Sequence, residues 1–397
     1  MLDIKNIIEN RQIHIFFQPI ISIKNKKIFG FEALTRAKID GKLIPPNILF
    51  QKAKEQNLIV ELDKITRLLA IDEFKKLYEK DKKLFLFLNI ESSIIDTDWS
   101  SHNLEFDKKL LKLEIPTDRV VLEIKEDFIK NNQNLESFCN HYRELGFNIG
   151  LDDFGVGLSS FDRLAIVKPD IIKIDRSLIS NVRSNYFHRE IVKAIANMSK
   201  QIGSLVLAEG IENLEDITSL LKHDIFLYQG FYFEKAVEPE QLKSLSINEK
   251  ITKVSNNFHS ILAKRKNQRF KVLNESLKIA LEIEDIFIQN RDIKDRIFTF
   301  LKDNAISVEA IYFIDEYGKQ LNETMFLTEK KSCYEPAKDG DDHSFRNYFY
   351  MTKESKNDFF LSEKYLSLAS GNLCRTFSKK TNLYNKELII CLDFTIN

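Results

Sequence analysis

The stretch NIGLDDFGVGLSSFDRLAIVKPDIIKID, residues 148–175, places two adjacent carboxylates, Asp152 and Asp153, directly after the apolar run Asn148-Ile149-Gly150-Leu151. Two ionised carboxylates side by side repel, and a neighbouring cation relieves that repulsion. A strand end followed by a polar, glycine-rich turn is one reading of the pattern. A metal site at the end of a strand is the other.

Similar β-type runs lie on both sides of this stretch. They are IHIFFQPI (13–20), IFGFEALTR (28–36), LFLFLNI (84–90), VVLEIK (120–125), FNIGLDDF (147–154), IIKID (171–175), LVLAEG (205–210) and IFLYQG (225–230). Helix-type segments such as 61–80 and 188–203 separate most of them. Strands alternating with helices predict an α/β fold, a modified (β/α)8 TIM-like barrel. The first two runs are joined only by SIKNKK, too short for a helical crossover, so an antiparallel hairpin is expected there.

Gln18, Glu32, Asn89, Glu123, Asp152, Asp153, Lys173, Glu209 and Gln229 each sit at or near the C-terminal end of one of these runs, with apolar residues before them. In a barrel, that end is the face where active sites are built. Carboxylate and amide oxygens suit hard divalent cations such as Mg2+, Ca2+ or Mn2+, and the set contains none of the His or Cys favoured by zinc.

Apolar residues make up 43% of the 397-residue chain and charged residues 30%, the composition of ordinary globular material. Basic and acidic residues number 59 each, a balance that argues against DNA or an acidic membrane as an electrostatic partner. Cys139, Cys333, Cys374 and Cys391 are scattered without a CxxC pair, as in a reducing compartment. The N-terminus has no apolar signal-peptide core, and the apolar runs fall short of the roughly 18 residues that span a bilayer. A cytoplasmic location with no membrane span is expected.

FEALTR (31–36), LNI (88–90), LEIKE (122–126), LDDFGVGLSS (151–160), IKIDRSLI (172–179), LAEGIEN (207–213) and YQGFYF (228–233) together resemble the EAL-domain phosphodiesterases of cyclic di-GMP. The resemblance implies that Glu32, Asn89, Glu123 and Asp152 hold one Mg2+ or Mn2+. Asp152, Asp153 and Glu209 would hold a second, with Asp152 bridging. Two such ions clamp the attacking and leaving oxygens of a phosphodiester displacement. Lys173, Glu209, Glu212 and Glu126 take catalytic positions in this resemblance: Lys173 orients water, Glu212 supports the AEGIE motif, and Glu126 steadies the adjoining loop. Gln18, Leu34, Arg36, Asp153 and Gln229 match substrate-binding positions. The implied reaction opens cyclic di-GMP to linear pGpG.

Two residues depart from the family pattern. Lys125 stands where ExTE has threonine, and Val156 where DFGTG has threonine. A lysine pointing into the site competes with a cation; one pointing outward or pairing with Asp127 does not. A catalytically silent cyclic di-GMP receptor or protein-interaction module is the alternative reading of the chain.

The expected organisation is an EAL domain over 1–246, a connecting helical segment over 247–300 and a small α+β domain over 301–397. The helix is expected to bury an irregular apolar stripe that includes Phe258, Ile261, Leu262, Val272, Leu273, Ala280 and Ile283, and to expose a basic face around Lys264–Lys271. IYFIDEYGKQL (311–321) and residues 341–380 resemble PAS/Cache-like sensor domains, and the whole layout resembles the YkuI group of EAL proteins. Arg346, Tyr348 and Tyr350 either line a pocket for a small anionic ligand or serve structural and surface roles. A homodimer is expected from the long helix.

Overall fold

The computed structural model describes residues 2–96, 106–125, 129–156, 161–244, 247–289, 296–297, 299–301, 308–327, 335–367, 370–383 and 386–395. The chain forms two compact units, Met1–Ser260 and Ile261–Asn397.

The first unit carries strands β1 (Ile13–Ser22), β2 (Lys27–Ile39), β3 (Lys42–Ile44), β4 (Phe85–Ile90), β5 (Val120–Lys125), β6 (Asn148–Phe154), β7 (Ile171–Ile174), β8 (Leu205–Ala208) and β9 (Leu227–Tyr228). The hydrogen-bonded order β1-β9-β8-β7-β6-β5-β4-β2, with β1 pairing back onto β2, closes an eight-stranded barrel. Around the barrel from β2 and β4 to β9 neighbouring strands run parallel, whereas β1 is antiparallel to both β2 and β9. All eight expected runs are barrel strands, and the first two form the expected hairpin. The short β3, which adds to the edge of β2, has no counterpart in the sequence reading. At the β2–β4 seam a side chain on Gly30 would put its Cβ 2.4 Å from the Phe85 carbonyl oxygen, so the close approach requires glycine.

Alternation along each strand divides the side chains between two cores. Leu86, Leu88, Leu122, Ile124, Ile149, Leu151, Ile172, Ile174 and Val206 face outward into a large cluster with the surrounding helices. From helix Ile59–Tyr78, for example, Ala70, Ile71, Phe74, Leu77 and Tyr78 join that cluster. Asparagine side chains cap several of these helices: Asn131, Asn185 and Asn213 each accept from backbone N–H groups of the first turn. Facing inward, Ile20, Phe87, Val121, Ile171, Leu207 and Leu227 form a second, smaller cluster that fills the barrel. On β4, β5, β7, β8 and β9 the next inward position, two residues on, is Asn89, Glu123, Lys173, Glu209 and Gln229 respectively. The same pleat therefore builds an apolar floor and a polar ceiling.

The second unit is a small α+β fold on an antiparallel sheet, as expected. Its strands are β10 (Val308–Asp315), β11 (Met325–Phe326), β12 (Phe359–Leu361), β13 (Tyr365–Leu366), β14 (Leu373–Leu383) and β15 (Lys386–Thr395). They are ordered β11-β10-β15-β14-β12, with β13 on β14. The helix Ile247–Gln289 begins in the first unit and continues into the second. Its apolar stripe is broken: Ile251 and Val254 are buried near its start, and Ile279, Ala280 and Ile283 near its end. Leu262 and Val272 are exposed, which corrects their assignment to the stripe. Lys264, Lys266, Arg269 and Lys271 are exposed, as a solvated face requires.

Arg346, Tyr348 and Tyr350 do not line one pocket. Tyr348 is buried, with its hydroxyl 2.8 Å from His343 Nδ1, while Arg346 and Tyr350 are exposed. Tyr348 and Tyr350 lie on helix Asn347–Glu354, where two residues of separation turn side chains to opposite faces. Cys139, Cys374 and Cys391 are buried and unpaired, and Cys333 lies outside the described residues. Among the described residues, no helix is long and apolar enough to cross a membrane.

Candidate metal centre and active site

Strand register brings the polar ceiling together. Gln18 is opposite Glu32, Asn89 opposite Glu123, and Glu123 opposite Gly150. A Cβ on Gly150 would lie 3.1 Å from Val121 Cγ1, a tight approach to the strand that carries Glu123. Asn89 Nδ2 donates to Glu32 Oε1 at 2.8 Å, and Gln229 Nε2 donates to Glu32 Oε2 at 2.6 Å and to Gln18 Oε1 at 3.1 Å. These bonds tie four of the expected site residues into one wall.

Asp152 and Asp153 converge by a different device. In a regular strand adjacent side chains point to opposite faces. The β6–β7 ladder slips between Leu151 and Phe154, and Asp153 has a left-handed backbone with φ +56°. A bulge of this kind re-aims a side chain. As a result, Asp152, Asp153 and Glu209 offer carboxylate oxygens within 4.8 Å of one another.

Lys173 occupies the centre. Its Nζ is 2.6 Å from Glu209 Oε1, 2.7 Å from Glu123 Oε1, 3.0 Å from Asp152 Oδ1 and 3.7 Å from Glu32 Oε2. Burial alone would favour the neutral amine, but Asp152, Glu123, Glu209 and Glu32 together push the lysine well above its ordinary value. Burial pushes the Glu123 carboxyl well up and that of Glu209 to about 8, against the opposing pull of Lys173. Asp152 is held below the ordinary carboxylate range because Lys173 and Lys125 outweigh its burial.

Lys125 points inward. It lies two residues beyond Glu123 on β5 and so shares that residue's face. Its ammonium pairs with Asp153 and lies 3.7 Å from Asp152 Oδ2. Of the orientations open from the sequence, the one toward the metal site is realised.

The remaining expected residues are more dispersed. Leu34 and Glu212 line the same cleft, of about 990 Å³, as Gln18, Glu32, Asn89, Asp152, Asp153, Lys173, Glu209 and Gln229. Glu212 is held by Arg176 Nη2 at 2.9 Å. Arg36 does not line the cleft: its Nη1 donates to the Thr35 carbonyl at 2.8 Å, and its guanidinium lies over the Phe16 ring. Glu126 and Asp127 lie outside the described residues. Arg176 and Phe231 also line the cleft, and Phe231 is largely exposed. Both fall inside quoted motifs, but nothing in their spacing separates them from neighbours that pack elsewhere.

The donor set suits a hard divalent cation. Glu123 Oε1 and Oε2, Asp152 Oδ1 and Glu209 Oε1 are buried without a hydrogen bond, their ion pairs to Lys173 apart. Lys173 supplies a single positive charge to these buried carboxylates, and a divalent cation would offset the rest of the cost of burying them. Glu32, Asn89, Glu123 and Asp152 would hold one ion, and Asp152, Asp153 and Glu209 would hold another.

Comparison with known proteins bears on the same region. The model of the EAL domain family matches residues 2–236. The EAL-domain containing protein YkuI of Bacillus subtilis is 26% identical over 394 residues, covering 95% of this chain and 94% of its own length. Its crystal structure in complex with cyclic di-GMP and calcium superposes over the whole of both chains, with a TM-score of 0.84 at 24% identity. The cyclic di-GMP phosphodiesterase PdeR of Escherichia coli is 28% identical over 235 residues; that match covers 59% of this chain and 35% of PdeR. The manganese and cyclic di-GMP complex of BlrP1 from Klebsiella pneumoniae shares the fold over 57% of each chain, with a TM-score of 0.53 at 24% identity.

Proposed function

Because this chain belongs to the EAL-domain family, we propose that it is a phosphodiesterase that opens cyclic di-GMP to linear pGpG, with Mg2+ or Mn2+ as its cofactor. The observation that carries this reading is the convergence of Glu32, Asn89, Glu123, Asp152, Asp153 and Glu209 at the C-terminal mouth of the barrel, where Asp152, Asp153 and Glu209 offer oxygens within 4.8 Å of one another and the buried Glu123 Oε2 has no hydrogen bond. Divalent cations bound there supply Lewis-acid stabilisation and a nucleophile at neutral pH.

The chain's own residues do the positioning. Lys173 sets the carboxylates at fixed distances and offers an ammonium to a water or phosphate oxygen entering between them. Asn89 and Gln229 hold Glu32 through the hydrogen bonds they donate to it, and Gln18 accepts from Gln229. Glu212, Leu34 and Phe231 line the cleft that receives the dinucleotide. The exposed Phe231 ring offers a face on which a base stacks. Residues 301–397 act as a sensor-like regulatory domain, and the protein works in the cytoplasm as a homodimer.

The test is turnover of cyclic di-GMP with Mg2+, Mn2+ or Ca2+, comparing wild type with Glu32→Ala. pGpG from wild type with Mg2+ or Mn2+ and none from the variant is the expected result. Ca2+ is expected to inhibit, because it accepts looser geometry than the octahedral ions. A silent cyclic di-GMP receptor is the second reading, favoured by the Lys125 ammonium on Asp153. Wild type that binds the dinucleotide yet forms no pGpG with any of the three ions would establish it.

A further inference from the structure

Lys125 is the register partner of Asp152 across the β5–β6 ladder. Its ammonium pairs with Asp153 Oδ2 and lies 3.7 Å from Asp152 Oδ2. Those two carboxylates, with Glu209, are the three whose oxygens gather within 4.8 Å. This is the outer of the two ion positions assigned above. An ammonium on the Asp152 and Asp153 oxygens weakens their hold on a divalent cation, because like charges a few ångström apart repel strongly in a partly buried site.

Lys125 and Lys173 differ in their freedom. The Lys173 side chain is 1% exposed and is enclosed by carboxylates on several sides. The Lys125 side chain is 43% exposed and leans in from the rim. It has an open path to water, and its flexible stem gives up a compact point charge readily.

We propose that Lys125 is a resident cation of the outer ion position. This inference rests on the metal-centre reading above. The chain binds one divalent ion firmly on the Glu32, Asn89, Glu123 and Asp152 side. It admits a second ion only when that ion displaces the Lys125 ammonium from Asp152 and Asp153. At low free divalent-cation concentration the cleft binds cyclic dinucleotide with its outer position closed, and hydrolysis begins only as the concentration rises. Lys125 thereby makes the occupancy of the centre a gauge of divalent-cation supply.

The experiment uses the full chain, stripped with chelator and titrated with Mn2+ without nucleotide, the free ion being counted by electron paramagnetic resonance. Wild type is expected to show one tight site and a second at least about tenfold weaker. Lys125→Met is expected to tighten the second site by about tenfold or more and leave the first unchanged. Lys125→Arg keeps the charge and is expected to leave the second site as weak as in wild type. Equal second-site affinities in wild type and Lys125→Met, or two equally tight sites in wild type, would overturn the role of Lys125 and leave the metal centre standing. Absence of Mn2+ binding by both wild type and Lys125→Met would remove the metal centre itself, and the proposal with it.

Discussion

Lys173 Nζ lies 2.6 Å from Glu209 Oε1, in a position where the lysine side chain is 1% exposed and the same ammonium also faces Glu32, Glu123 and Asp152. One buried cation thus sits among four carboxylates and offsets part of their charge. Lys173→Met leaves them without that offset, and removing one partner of a buried ionic group costs about 3–5 kcal/mol. In chelator the variant is expected to unfold at clearly lower urea than wild type, and added Mn2+ is expected to stabilise it by more than it stabilises wild type. The same urea midpoint for both proteins in chelator would show that Lys173 is not the balancing charge.

Asp63 and Arg67 form a second buried ion pair, each side chain 2% exposed, with the guanidinium over the Phe106 ring. Burial raises the Asp63 carboxyl to about 6 even with Arg67 beside it. Arg67→Ala strands that carboxylate and is expected to cost about 3–5 kcal/mol in urea unfolding at pH 7. The double variant Asp63→Asn with Arg67→Leu is expected to recover most of the loss, because it removes both buried charges.

In the second unit, Asp393 Oδ1 accepts from Thr376 Oγ1 at 2.7 Å and from the Tyr312 hydroxyl at 3.4 Å, and burial raises its carboxyl from 3.8 to about 7. A carboxyl raised on folding contributes stability that is full below the unfolded value and is lost as pH rises through the folded one. The loss therefore falls between pH 3.8 and about 7, and it amounts to a few kcal/mol at about 1.4 kcal/mol per unit. Hydrogen exchange of the β14 and β15 amides is expected to be faster at pH 8 than at pH 5, after correction for intrinsic rates. Asp393→Asn, neutral throughout, is expected to flatten that difference.

Gly210 has φ +63°, and a Cβ there would fall 2.5 Å from Arg176 Cβ. Arg176 in turn holds Glu212 at 2.9 Å. Gly210→Ala combines left-handed strain of about 1–2 kcal/mol with a displaced arginine. Turnover is expected to fall by about tenfold or more while the chain stays folded, since small misplacements at a reacting centre carry large rate penalties. Unchanged kcat and KM would show that the Arg176–Glu212 pair does not position the cleft.

Much of the barrel was legible because each parallel strand, buried on both faces, turns from apolar to polar along its inward side over a few residues. Phe87 and Asn89, Val121 and Glu123, Ile171 and Lys173, Leu207 and Glu209 are pairs at spacing two, the first on the barrel floor and the second on its rim. Arg36 was harder to place. It continues the spacing-two series Glu32, Leu34, Arg36, yet near the end of β2 its guanidinium turns to the Thr35 carbonyl and the Phe16 ring. Leu262 and Val272 fit an apolar stripe by spacing, but a stripe is buried only where another element lies against it.

The order of strands, the hairpin at the start and the polar ends of the strands followed from the sequence alone, because alternation and connection length are properties of short segments. The aim of Asp153 and the partner of Lys125 were decided only in the folded barrel. Alternation alone would send Asp153 outward, and the slip between β6 and β7 with its left-handed φ turns it back toward Glu209. Alternation does send Lys125 inward, but only the β5–β6 register places it opposite Asp152, where its ammonium meets the carboxylates that a second ion would need.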